Sequence, residues 1–120
     1  MPLHLFVMKD KNLGISILNQ LYGSMLTEKQ FAMLKAYYDF DCSLAEIADE
    51  YGISRQAVRD NIKRAENSLV EFEKQFRLLA TRQNVVQKLN QLKELLEEKN
   101  FLSDDVLQKI AEAEKALEGE

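Results

Sequence analysis

The sequence predicts an all-α protein, and three observations predict it. Apolar residues recur at helical spacing through nearly every segment. Small polar residues stand where helices would begin, two of them followed three places on by Glu or Gln. One Pro and four Gly among 120 residues leave few breaks, and 46% apolar content is enough for a modest core. No linker rich in Gly, Pro or Ser divides the chain, and no internal repeat is visible. The expected organisation is a flexible N-terminus over 1–10, a domain over 11–80 that runs into a long helix, and a C-terminal helical extension over 81–120.

The first helix is expected at 11–25, on a stripe of Leu13, Ile17, Leu18, Leu21, Tyr22 and Met25. Thr27 starts a second, with Gln30 completing a capping box and Phe31, Leu34 and Tyr38 on one face. Asp39 and Asp41 suit the turn that ends it. Ser43 starts a third with Glu46 as its box partner, and Leu44, Ile47, Ala48 and Tyr51 form its apolar face. Gly52 then stands where a helix end needs positive φ, and Ile53 fits as the residue packed under the turn. Ser54 is the cap of a fourth helix. Helix, Gly turn, capping Ser and second helix form the helix-turn-helix plan.

The fourth helix carries Val58, Ile62, Ala65, Leu69, Phe72, Phe76 and Leu79 at alternating spacings of four and three. That is a heptad seam, and it predicts a homodimer through this long helix, the competing use being packing within the chain. The register slips at Thr81–Asn84, which predicts a kink, a stutter or a short loop there. Val85, Leu89, Leu92 and Leu96 resume the pattern. Residues 99–105 read as a turn with Ser103 as cap, and Val106, Ile110, Ala113 and Leu117 mark a last helix.

The net charge is −4, unusual for a domain that must neutralise phosphates. Its distribution matters more. Residues 54–64 hold four cations and one anion, whereas 82–120 hold six cations and nine anions. At ~100° per residue, Ile62, Ala65 and Leu69 fall within about 40° of Val58, while Gln56, Arg59, Asp60, Lys63 and Asn67 fall about 100–200° away. An outward face of this kind at the front of a helix is the pattern that reads double-stranded DNA. Gln56, Arg59 and Lys63 are the expected base or near-base contacts, and Ser54, Arg55 and Arg64 the phosphate contacts. Arg64 could instead pair with Asp60. Asp60, with Glu46, Asp49 and Glu50 on the preceding helix, opposes a phosphate backbone. Tyr37 and Tyr38 could stack a base, but core packing is the simpler use.

Other functions find little support. The only His, His4, falls in the expected flexible end. There is no nucleophile–base pair, no Gly-rich phosphate loop and no metal-ligand spacing, so neither catalysis, cofactor nor metal is expected. The lone Cys42 forms no internal disulfide and reads as a small apolar core residue in a reducing, cytoplasmic setting. No apolar run reaches membrane-spanning length, and the first eight residues are too short for a signal peptide.

Residues 26–66, above all Ser54–Val58 followed by Asp60–Arg64, resemble the YlxM-like family of helix-turn-helix proteins of low-GC Gram-positive bacteria. More distantly they are similar to the fourth region of bacterial sigma factors, which reads a promoter element. The resemblance implies a small DNA-binding regulator. It also implies a link to a signal recognition particle component, because the family's genes commonly neighbour those of that pathway. A protein or RNA adaptor with the helix-turn-helix as scaffold is therefore the alternative, and a helical dimerisation module without nucleic acid a third. Position 59 is usually aromatic in the family and is Arg here. After Arg77 the resemblance fades.

Overall fold

A computed structural model of the chain describes residues 11–118, leaving aside the side chains of 11–13. The expectations for residues 1–10, including His4, lie outside the described residues. Six α-helices and no strand occur among the described residues: α1 (Lys11–Tyr22), α2 (Glu28–Tyr38), α3 (Leu44–Tyr51), α4 (Arg55–Phe76), α5 (Leu78–Glu98) and α6 (Asp104–Leu117), with a 3₁₀ turn at Gly23–Met25. The chain divides into two compact units after Leu79.

In the first unit α4 is packed against α1, α2 and α3. Its Val58, Ile62, Ala65 and Leu69 lie in one core with Ile15, Leu18, Tyr22, Met33, Leu34, Ile47 and Ala48. Val58, Ala65 and Leu69 have no exposed surface. Burying side chains of this size stabilises by roughly 1.5–3 kcal/mol each for the larger ones. The heptad seam is therefore spent inside the chain from Val58 to Leu69, and those residues offer nothing to a second copy. The expectation of a homodimer through this part of the long helix is corrected. A helix laid across three others needs the same 3–4 spacing as a coiled coil, so the sequence pattern alone did not separate the two.

The α1 stripe matches expectation at Leu18 and Tyr22 and differs at Ile15, which it left out, and at Met25. Ile15, Leu18 and Tyr22 are its buried apolar residues, whereas Met25 is half exposed in the 3₁₀ turn. Gly23 is required where that turn meets α2, because a Cβ there would come within 2.4 Å of the Phe31 ring.

The break in the long helix falls at Arg77, not at Thr81–Asn84. Arg77 adopts a left-handed conformation (φ 55°) and ends α4, and α5 begins one residue later. Tyr22 and Glu73 supply the cause. The Glu73 carboxylate is buried and accepts the Leu79 N–H at 2.9 Å. The Tyr22 hydroxyl donates to Glu73 at 2.6 Å and accepts the Leu78 N–H at 2.9 Å. Two amide groups at the start of α5 are thus satisfied by side chains from α1 and α4. The slip at 81–84 is absorbed inside a continuous α5.

Burial first, and the bond to Glu73 second, push the Tyr22 hydroxyl up from its ordinary 10.0 to about 12. A raised folded-state value means that the unfolded chain gives up this proton first. The stabilisation is complete below pH 10.0 and is lost as pH rises through about 12. Tyr22→Phe should cost about 1–3 kcal/mol in urea unfolding at neutral pH. The same variant should flatten the fall of stability between those two pH values; an unchanged alkaline profile would refute the Tyr22 assignment.

Candidate nucleic-acid interface

The candidate surface is built by α3, the Gly52 turn and the front of α4. The Ser43 Oγ accepts the Glu46 N–H at 3.0 Å, and the Glu46 carboxylate returns to the Ser43 N–H at 3.1 Å. This box holds the Glu46 carboxyl below its usual value, chiefly through the backbone bond to Ser43. Glu46 is therefore committed to its own backbone, while Asp49 and Glu50 remain exposed on α3. Gly52 ends α3 at φ 66°, ψ 35°, a conformation that costs a residue with Cβ about 1–2 kcal/mol. The next N–H, of Ile53, returns to the Ala48 carbonyl at 3.1 Å, and Ile53 packs against the core. Ser54 then caps α4 by accepting the Ala57 N–H at 3.0 Å.

This turn sets the rotation of α4. With Val58 and Ile62 buried, Ser54, Arg55, Gln56, Arg59, Lys63 and Arg64 are all exposed. Two of them, Arg59 and Lys63, converge. Gln56 donates to Asp60 at 3.0 Å, so Asp60 is held by Gln56 rather than by Arg64. Arg59 and Lys63 line a cleft of 220 Å³ with Tyr37, Tyr38, Leu44, Ile62 and Glu66. Arg64 stands apart, on the opposite flank of the helix by the ~100° period. Arg55 follows Ser54 directly, at a first turn that contains no acidic residue. Ser54 accepts a bond through its oxygen yet keeps its own proton to donate. Among the described residues none of the four cations Arg55, Arg59, Lys63 and Arg64 is ion-paired.

Sequence reasoning missed Glu66, whereas Tyr37 and Tyr38 pack against the core, the use it favoured for them. The two rings meet edge to face at 5.0 Å, half buried. The Tyr38 hydroxyl donates to Glu66, and burial first, with that bond second, raises its pKa well above the ordinary range. One Glu66 oxygen is thereby occupied beside Arg59 and Lys63. Its offset of seven from Arg59 and three from Lys63 places it on the same helix edge, a signal present in the sequence. Cys42 is half buried against the core rather than fully enclosed. No helix among the described residues is long and apolar enough to cross a membrane, and no group of three or more His, Cys, Asp or Glu among them could hold a metal ion.

These features define an all-α helix-turn-helix protein. The chain belongs to the family described as "Putative helix-turn-helix protein, YlxM / p13 like", whose sequence profile matches residues 9–115. The likeness thus runs well past Arg77. A UPF0122 protein of Halalkalibacterium halodurans is 45% identical over 100 residues, covering 83% of this chain and 91% of its own. One from Bacillus mycoides is 40% identical over 108 residues, covering 90% and 98%. One from Lacticaseibacillus casei is 51% identical over 74 residues, covering 62% and 66%.

Gly52→Ala and Ser54→Ala should each lower stability by about 1 kcal/mol, measured by chemical denaturation. No atom lies within 4 Å of a Cβ at Gly52, so the first cost is conformational. A neutral Gly52→Ala would show that the turn does not need the left-handed residue.

Proposed function

We propose that the chain is a cytoplasmic regulator of transcription that binds double-stranded DNA by placing the front of α4 in the major groove. One observation carries this reading. The inward edge of α4 is wholly committed to the core, so the outward edge holding Gln56, Arg59 and Lys63 is presented by a rigid support. Side-chain amides and guanidinium groups on such an edge are the groups that read base edges. Ser54, Arg55 and Arg64 flank it and would hold phosphates, Arg55 with help from the positive end of the helix.

Selection from a random duplex pool with the purified protein tests this directly. Arg59→Ala or Lys63→Ala should weaken binding to the selected sequence about 5- to 150-fold, the equivalent of 1–3 kcal/mol. Arg55→Ala or Arg64→Ala should instead reduce the salt slope by about one unit each, with little change in sequence preference. Asp60→Asn should tighten binding at low salt by removing a carboxylate that faces phosphate. Absence of any salt-dependent binding to duplex DNA at low ionic strength would overturn the reading.

The net charge of −4 favours a second reading, in which the helix-turn-helix is a scaffold and a protein or RNA component of the signal recognition particle is the partner. The narrow major groove of A-form RNA does not admit a helix, so RNA would be held through phosphates without groove readout. Sequence-selective enrichment of duplex DNA supports the first reading. Co-purification of such a component, with no enrichment, supports the second.

A further inference from the structure

The second unit holds two amphipathic helices with too little to bury against each other. Asn100 takes a left-handed conformation (φ 59°), and the Phe101 N–H returns to the Leu96 carbonyl at 2.8 Å, so α6 turns back after α5. Each helix has an apolar stripe at spacings of four, three and four: Val85, Leu89, Leu92, Leu96 on α5 and Val106, Ile110, Ala113, Leu117 on α6. Yet Ile110 is the only buried side chain among residues 80–118.

One side of the pair is closed by the Lys93–Glu114 ion pair at 3.1 Å. The other is an open apolar groove of 410 Å³, lined by Leu89, Leu92, Val106, Ile110 and Ala113, with Asp105 and Lys109 at its edge. Leu92 and Leu95 on the open side are 44% and 52% exposed. An isolated two-helix hairpin with such a groove lacks the second layer that a helical core requires.

The charges at the two rims are of opposite sign. With the period of ~100° per residue, Lys88 and Lys99 stand beside Leu92 on the α5 rim, and Asp105 and Glu112 stand outside Ala113 on the α6 rim. Lys109, the one cation on that rim, is bonded to Glu112 at 3.2 Å in its own helix. With Leu89 and Leu92 facing Ile110 and Ala113 across the groove, Lys99 falls within about 3 Å of the level of Asp105 and Lys88 within about 3 Å of that of Glu112, which long side chains span.

We propose that this groove is closed by the same groove of a second copy, making an antiparallel four-helix bundle about a two-fold axis parallel to the helices. That operation lays α5 of each copy on α6 of the other. The cationic rim then meets the acidic rim twice, and every adjacent pair of helices runs antiparallel. The pairing uses none of the α4 seam and does not rest on the DNA reading.

Mass determination on the full chain, by light scattering and sedimentation over a range of concentration, tests it. The wild type should form a dimer of its 13.9 kDa chain. Leu92→Glu should weaken that dimer about a hundred-fold, since it places an unpaired charge at the centre of the bundle. A Lys88→Glu, Lys99→Glu variant and an Asp105→Lys, Glu112→Lys variant should each be monomeric alone and should form a mixed dimer together, because mixing restores opposite charges at both contacts. Unchanged helical circular dichroism of each variant guards against unfolding. A wild type that stays monomeric at high micromolar concentration, a dimer indifferent to Leu92→Glu, or charge-reversed variants that stay helical but never combine would each overturn the proposal. In each of those cases duplex binding by α4 could still be measured, so its success or failure is read separately.

Discussion

Burial of the inward edge of α4 is the constraint on which the first unit depends. Val58, Ile62, Ala65 and Leu69 are the places where α1, α2 and α3 meet a common support. The helical period then leaves no freedom on the other edge: once Val58 points inward, Arg59 and Lys63 must point out, about 100–140° away. A one-residue shift in the turn before α4 would rotate the whole face by ~100° and bury a cation. Gly52 and Ser54 fix that register, the first by a backbone conformation and the second by a hydrogen bond.

The joint between α4 and α5 follows a different logic. There a buried carboxylate is tolerated because hydrogen bonds from the Tyr22 hydroxyl and the Leu79 amide hold it. Glu73 and the Tyr22 hydroxyl between them satisfy helix-start amides that a Ser or Asp would ordinarily cover. This cap is assembled from α1 and α4, 51 residues apart in sequence. It forms only when the first unit has folded, so the start of α5 is coupled to the packing of α1.

This contrast explains what could be read in advance. The caps at Thr27, Ser43, Ser54 and Ser103 are local, each involving an amide three residues away, and all four occur as the sequence implies. The Gly52 turn is equally local. The long-helix break was misplaced because its cause is nonlocal, and because Arg77, unlike Gly or Asn, gives no sign of a left-handed end. The α1 stripe was misjudged in part for a related reason. Leu18 and Tyr22 are buried as the spacing implies, and Ile17 and Leu21 pack at the edge of the core, but Ile15 was passed over and Met25 included because spacing alone does not show that the helix ends at Tyr22 or where α2 and α4 meet it. As for the candidate interface, exposure of all six residues on the α4 side followed from periodicity, whereas the Glu66–Tyr38 bond beside them required knowing where α2 lies.

The acidic balance of the chain bears on the interface less than its sign suggests. Exposed charges are screened over about 8–10 Å in physiological salt. A phosphate at the front of α4 therefore responds to the charges within two helical turns, not to the sum over 120 residues. Within that range stand Arg55, Arg59, Lys63 and Arg64 against Asp60, whose oxygen is partly occupied by Gln56, and Glu66, one oxygen of which is taken by Tyr38. On the proposed DNA reading, four cations around two restrained carboxylates would attract phosphate only moderately, and Asp60 would penalise any register in which it meets a backbone oxygen instead of a base-edge donor such as a cytosine amino group. On that reading Asp60 would be a repulsive element that weakens all sequences but weakens the wrong ones more, which is how discrimination is gained at the expense of affinity.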